Sequence, residues 1–463
     1  MKSKSVALLL VVCLIATLAA CGGSPVTTPA TSNAVSSAPS TAPATSTGGS
    51  TAAPIELTYA TSLYVEAPHQ IVHDNLLKAY GAKNSNVKIS IYGAEYANFW
   101  NNLTTEIISN NEADIIQIVP SKLASYYALR ASGAFLDLTP YMKKTGTDYM
   151  SLLMGQKECD IDNKTVAISN YAWGTNGVFY RKSICEKYGV DAEAIKTSDD
   201  FVAALKATTK DNIVGMGAVV GTHPFVVAEW VGMFARGVTG GMYFKGEVAP
   251  FDADHIVVNS PDNVAMAKWW QDLILKNKVL KPGPDKKDSR ELFWNGLCAF
   301  NLDGPWFIGM TEARDPAILK DTGLIPLPNM IYKGTSYKPT PSYSPYICAI
   351  SSNCKNPDAA WEFLNWMTSI EAQTIIATCG MTPANKDFSE KDEYKTKYPL
   401  SYKFLGFKQN NYGEPMSDPR TPKGSELSNI LIEAGQNMFS PKAADPQTEL
   451  NAAAEKMKAV MNK

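Results

Sequence analysis

From residue 55 onward, apolar positions recur with two alternating periods. Ile55-Glu56-Leu57-Thr58-Tyr59-Ala60 alternates and predicts a strand. Residues 68–80 then place Ile71, Val72, Leu76, Leu77 and Tyr80 at helical spacing. Val87-Lys88-Ile89-Ser90-Ile91-Tyr92 predicts a second strand, and residues 99–108 a helix with Leu103 and Ile107 inward. Residues 114–119 are nearly all apolar, as in a parallel strand covered on both faces. Strand, helix, strand, helix, strand defines an α/β class. Ligands in such sheets bind at the carboxyl ends of the strands. The loops there, residues 61–67, 93–98 and 120–122, carry Tyr64, Glu66, Tyr96 and Ser121, with Trp100 just beyond.

Later helices carry start signals. Thr197 and Asp200 have capping-box spacing ahead of Phe201 and Leu205. Asn356-Pro357 places an N-cap residue before a proline at the first helical position. Thr368-Ser369-Ile370-Glu371 restarts a helix, and residues 448–462 form a last one with Leu450, Ala454, Met457 and Met461 on one face.

The first 54 residues break this pattern. Lys2 and Lys4 precede an apolar run over residues 6–20, shorter than the roughly 20 residues a spanning helix needs. Leu18-Ala19-Ala20-Cys21-Gly22 resembles a bacterial lipobox, which implies a signal peptide over residues 1–20 and a lipid on Cys21. Residues 22–54 are almost only Ser, Thr, Ala, Pro and Gly, without a charge. Such a segment buries too little apolar area to offset its ordering entropy, so 21–54 reads as a disordered tether. The expected location is the extracellular face of a bacterial cell membrane, lipid-anchored.

Composition narrows the function. The 463 residues have a formal net charge of −2, without the basic excess that nucleic-acid binding needs. Four His give thin support to a metal enzyme. No GxSxG, HExxH, P-loop or GxGxxG motif is present; a carboxylate pair for glycoside cleavage could come from distant positions, but solvated or structural carboxylates are the default, and no enzyme activity, cofactor or metal is expected. Cys159, Cys185, Cys298, Cys348, Cys354 and Cys379 form no CxxC pair. Burial as small hydrophobes is the better reading, with Cys348 and Cys354 the first pair to check for a bridge.

Several segments together resemble the sugar-binding extracellular solute-binding proteins of ABC importers, the class that includes maltose-binding protein. They are Tyr96-Ala97-Asn98-Phe99-Trp100, Ala113-Asp114-Ile115-Ile116, Ala131 to Leu138 in sequence, and Asn176-Gly177-Val178-Phe179-Tyr180-Arg181. Phe293-Trp294-Asn295-Gly296 running into Asp303-Gly304-Pro305-Trp306 is the most specific, and Asp358-Ala359-Ala360-Trp361-Glu362-Phe363-Leu364 adds to it. The resemblance implies a periplasmic-binding-protein-like fold of two α/β lobes with a hinge. One lobe would comprise 55–171 and 328–373, the other 176–325 and 375–463. Crossings fall near 171–175, 325–328 and 374.

The resemblance also implies a carbohydrate, an oligosaccharide by preference, held in an aromatic-lined cleft and delivered to ABC permease subunits by a monomer. Aromatic rings cover the apolar face of a pyranose while polar groups fix its hydroxyls. Trp306 matches a tryptophan that stacks on sugar in relatives. Trp230, Trp173, Tyr64, Tyr96, Trp100, Tyr343 and Tyr346 are further aromatic candidates. Glu66 and Asp303 are candidate hydroxyl acceptors, Arg420 a donor, and Ser121 a wall residue. Relatives often carry an aromatic or Asp in the loop after the third strand, where this chain has Val119-Pro120-Ser121, so the wall there is smaller and less charged. A polyamine or organic anion in the same fold, or a surface glycan-acting enzyme or adhesin, remain alternatives.

Overall fold

The computed structural model describes residues 53–463, apart from 120–121, 162–163, 343, 415 and 417. Cys21 with the signal segment, nearly all of the tether, Ser121 and Tyr343 therefore lie outside the described residues.

Two five-stranded sheets organise the described chain. In the first, the spatial order is Val87–Tyr92, Ile55–Ala60, Ile115–Ile118, Ser344–Ile350 and Ala167–Gly174. The first three pair in parallel, with Ile55 opposite Val87 and Tyr59 opposite Ile115. The last two join antiparallel. The third strand begins one residue later than expected because the Asp114 carboxylate accepts the Thr58 N–H and hydroxyl, each at 2.8 Å. Every residue of Ala167–Gly174 is buried, as expected for a sheet covered on both faces. Val72 and Leu76 of helix Ala67–Lys83 pack with Phe363 and Leu364 of helix Pro357–Met367 in one core. Phe99 and Leu103 of helix Tyr96–Ile108 pack with Leu123 and Tyr126 of helix Leu123–Ala131 in another.

In the second sheet the order is Thr322–Ile325, Gly177–Arg181, Cys298–Asp303, Val214–Val219 and Leu280–Gly283. The first two pairings are antiparallel and the last two parallel. Its large core includes Phe201, Trp270, Leu431 and Met457. The chain passes between the sheets from Gly174 to Gly177, returns after Ile325, and leaves the first sheet's helices after Ile370–Ala377. Thr374 lies inside that helix, whose start is capped by the Ser369 hydroxyl. Thr197 and Asp200 form the expected reciprocal capping box. Asn356 precedes its helix without a side-chain cap bond.

The six described cysteines are free thiols. Cys348 and Cys354 do not bridge; Cys348 Sγ sits 3.5 Å from the Tyr59 hydroxyl inside the first lobe. Burial pushes both thiols up to about 12, which suits packing rather than reactivity.

Candidate functional site

A cleft of about 770 Å³ opens between the lobes. Residues 174–176, the first crossing between sheets, lie along it, so its floor is backbone that both lobes share. The first-lobe wall comes from the starts of two helices, through Tyr96, Trp100 and Lys122 to Tyr127. The second-lobe wall comes from the loop after Val214–Val219, carrying Thr222 and His223, and from Trp306, Asp418 and Arg420. Both walls stand at carboxyl ends of parallel strands, where the α/β architecture places ligands.

Trp306 opens helix Trp306–Arg314 and packs against the cores of both lobes. Its indole Nε1 donates to Asp303 Oδ1 at 2.5 Å. Asp303 is fully buried and takes two bonds from Arg290, at 2.8 Å from Nε and 3.2 Å from Nη2. Burial acts to raise the Asp303 carboxyl, but Arg290 and Lys286 outweigh it and hold the group below the usual carboxylate range. Gly304 is required beneath the ring: a Cβ there would stand 2.2 Å from the indole. Arg290, Asp303 and Gly304 thus fix one tryptophan rotamer over the floor of the cleft.

Two polar atoms on cleft-lining residues lack partners among the described residues. They are Thr175 Oγ1 and Trp100 Nε1, on residues 4% and 5% exposed.

The sequence candidates divide sharply. Trp306, Tyr96, Trp100 and Arg420 line the cleft. Asp303 does not face it as a hydroxyl acceptor; it is consumed by Arg290 and Trp306. Trp230 is 1% exposed and packs edge-on against Phe439 at 5.8 Å, because its helix turns that face into the second-lobe core. Trp173 lies one residue before the floor, and strand alternation sends its ring the other way, against Gly155 and Pro345. Tyr346 is buried in the first-lobe core beside Tyr171. Tyr64 leans on helix Ala67–Lys83, its hydroxyl donating to Asp74 Oδ1 at 2.8 Å. Glu66 stands just before the start of the same helix, without a side-chain cap bond, and is not among the residues lining the cleft. It is 31% exposed, with His69 Nε2 at 3.8 Å. Burial pushes its carboxyl up to about 7; Arg290 opposes this, and Asp303 and Glu95 add to it.

His223 was not singled out from the sequence, yet its ring stacks on Tyr96 of the opposite lobe. The rule that found Tyr96, a loop after a parallel strand, also picks out His223 when it is applied to Val214–Val219. Burial pushes the His223 imidazole down to about 4, with Asp285 and Asp303 acting against the shift and Arg290 and Lys286 with it.

Away from the cleft, Cys379 Sγ lies 3.7 Å from His69 Nδ1. Burial pushes that thiol up to about 12 and the imidazole down to about 3, so neither a thiolate nor a base is available at neutral pH.

Comparison with known proteins agrees with this geometry. The family model of bacterial extracellular solute-binding proteins matches residues 68–374. A maltotriose-binding protein of Pyrococcus abyssi is 25% identical over 278 residues, which is 59% of this chain and 55% of that protein. The diacetylchitobiose-binding protein of Streptomyces coelicolor is 25% identical over 322 residues, 68% of this chain and 69% of the relative. Among solved structures, maltose-bound MalE3 of T. maritima superposes with a TM-score of 0.74 at 18% identity, covering 88% of this chain and 100% of that one. A chitin oligosaccharide binding protein superposes with a TM-score of 0.73 at 17% identity, covering 89% and 100%. The family match spans most of both lobes around the cleft, and the chain belongs to the bacterial extracellular solute-binding protein family.

Proposed function

We propose that the protein captures a carbohydrate, an oligosaccharide by preference, in the interlobe cleft and hands it intact to ABC permease subunits. Cys21 carries the lipid that holds it at the outer face of the cell membrane, and the Ser/Thr/Pro-rich tether lets a monomeric binding domain reach the permease. The observation that carries this reading is the fixed Trp306 ring in a cleft lined also by Tyr96 and Trp100 and by polar residues such as Asn101, Thr104 and Thr175. A ring for the C–H face and polar atoms for hydroxyls are the two halves of sugar recognition. Relatives whose names specify maltotriose, diacetylchitobiose and arabinooligosaccharide support the ligand class.

Charge argues against the other ligands. Asp418 Oδ1 is already paired with Arg236 at 2.5 Å, which weakens its offer to a polyamine. Arg420 is already paired through Nη2 with Glu158, which weakens its offer to an organic anion. The test is thermal unfolding against a panel of mono- and oligosaccharides, with polyamines and organic acids alongside. A ligand at 100 times its dissociation constant adds about 2.7 kcal/mol of stability. A shift with one sugar family, the sugar recovered unchanged, is expected; a shift with only polyamines or organic acids contradicts the reading.

A further inference from the structure

Arg420 carries a role different from that of a ligand donor. It stands in the segment between helices Pro399–Asn410 and Gly424–Phe439, and that segment is fastened to the second lobe. The buried Arg236 guanidinium donates to Asp418 Oδ1 at 2.5 Å, to the Met416 carbonyl at 3.0 Å and to Ser342 Oγ at 3.0 Å. Arg420 then reaches out of this segment to the carboxylate of Glu158. Glu158 belongs to the first lobe, and its carbonyl accepts the Tyr127 hydroxyl at 3.1 Å. Beside the pair, Ser125 Oγ of the first lobe and Ser425 Oγ of the second lie 2.9 Å apart. The side chains of Arg420 and Glu158 are 37% and 20% exposed, so the pair stands at a margin of the cleft rather than in its depth.

We propose that Glu158–Arg420, with Ser125–Ser425 beside it, is an interlobe latch that forms the rim of the closed cleft and thereby limits how long a ligand is captured well. The partners are mounted on different lobes, so the ion pair exists only when the lobes are together and biases that equilibrium. In the closed form Arg420 Nη2 is committed to Glu158, and on this proposal its role is to hold the lobes rather than to read the ligand. A ligand contained within the cleft closes the latch; one that projects past the rim holds Glu158 and Arg420 apart and loses its contribution. The limit on length rests on the carbohydrate reading above, whereas the latch itself does not.

The experiment uses the full chain with Glu158→Gln, Arg420→Gln and the exchange Glu158→Arg/Arg420→Glu. X-ray scattering reads lobe closure without ligand and in rising salt. Dissociation constants are measured for a graded series of linear oligosaccharides of the sugar that binds. Each single variant is expected to open the ligand-free protein and to weaken binding of the shortest good ligand about three- to fivefold, as for a partly exposed ion pair. It should also flatten the difference between short and long ligands, and the exchanged pair should restore both. Salt should open the wild type and leave the single variants unchanged. Unchanged closure in the single variants overturns the latch. A uniform loss of affinity at every ligand length, not restored by the exchange, overturns it in favour of direct ligand contact by Arg420. Absence of any sugar binding by the wild type overturns the carbohydrate reading and the length limit, while the scattering still decides the latch.

Discussion

Tyr96 and His223, one from each lobe, stack with ring centroids 6.0 Å apart and planes 18° from parallel. Lys122 Nζ lies 5.9 Å from the Tyr96 ring centroid, so the tyrosine meets a cation as well as the imidazole. The stack joins the first residue of helix Tyr96–Ile108 in one lobe to the loop after Val214–Val219 in the other, and it persists only while the lobes stay together. Tyr96→Ala and His223→Ala should each weaken ligand binding by about 1 kcal/mol, the worth of an aromatic pair, with most of the change in the dissociation rate. Stopped-flow release of bound ligand checks this; an unchanged rate in both variants argues that the stack is incidental to closure.

The same stack gives binding a dependence on pH. The His223 imidazole is pushed down to about 4 by burial when the lobes are closed. Separation of the lobes returns it toward its ordinary value of roughly 6.5. A depressed imidazole favours closure fully above the ordinary value, and that favour is lost as pH falls through about 4. Affinity should therefore fall between pH 6.5 and 4 in the wild type, and less steeply in His223→Phe, where the ring remains and the proton site is gone. Titrations at several pH values check the slope; parallel profiles for the two proteins contradict it.

Glu66 works in the opposite sense. Its carboxyl is pushed up to about 7 by burial, so its contribution to stability is present below roughly 4.5 and lost as pH rises through about 7. Glu66→Gln removes that penalty. The variant should unfold at a higher temperature than the wild type at pH 8, and the advantage should vanish by pH 4.5. Thermal unfolding across this range is the check.

Trp306 depends on a support that can be tested separately from the ring. Trp306→Ala should weaken ligand binding by at least about 1 kcal/mol. Gly304→Ala should do as much with the indole still present, because its new Cβ would meet the ring at 2.2 Å and displace it. Asp303→Ala strands Arg290, whose side chain is 16% exposed, without its carboxylate, and should lower stability by roughly 3 kcal/mol or more. Binding titrations and denaturant unfolding separate the two effects. Full affinity in Gly304→Ala would remove the indole from the site.

A buried pair behind the cleft makes a related prediction. Lys286 Nζ stands 3.2 Å from Glu229 Oε1 and 2.5 Å from the Leu302 carbonyl, and both side chains are 2% exposed or less. Lys286→Met leaves the buried Glu229 carboxylate without its cation, with only the Val219 N–H on it at 2.9 Å, and should cost roughly 3–5 kcal/mol. Lys286→Met with Glu229→Gln should recover part of that loss in denaturant unfolding.

What the residues disclosed in advance follows from the range of each interaction. The alternation of Ile55–Ala60 and Val87–Tyr92 is local, and both strands stand where that alternation placed them. The cap of Ser198–Thr208 is local as well. Trp306 was legible because Gly304-Pro305-Trp306 is a contiguous motif. Trp230 and Tyr346 were not, because a tryptophan or tyrosine near a cleft and one in the core behind it have the same local sequence. Trp173 follows from strand parity once Gly174 is known to be the floor, which requires the second lobe. The role of Asp303 depends on Arg290, on another element, and that of Arg420 on Glu158, in another lobe.

The central claim is that the cleft over Trp306 takes a sugar and releases it unchanged. Isothermal titration of the wild type and Trp306→Ala with the sugar that most raises the unfolding temperature tests it most directly. One site per chain in the wild type, at least about fivefold weaker in the variant, with the sugar recovered intact, is the predicted result. Equal affinity in the two proteins, or no heat with any sugar, would contradict it.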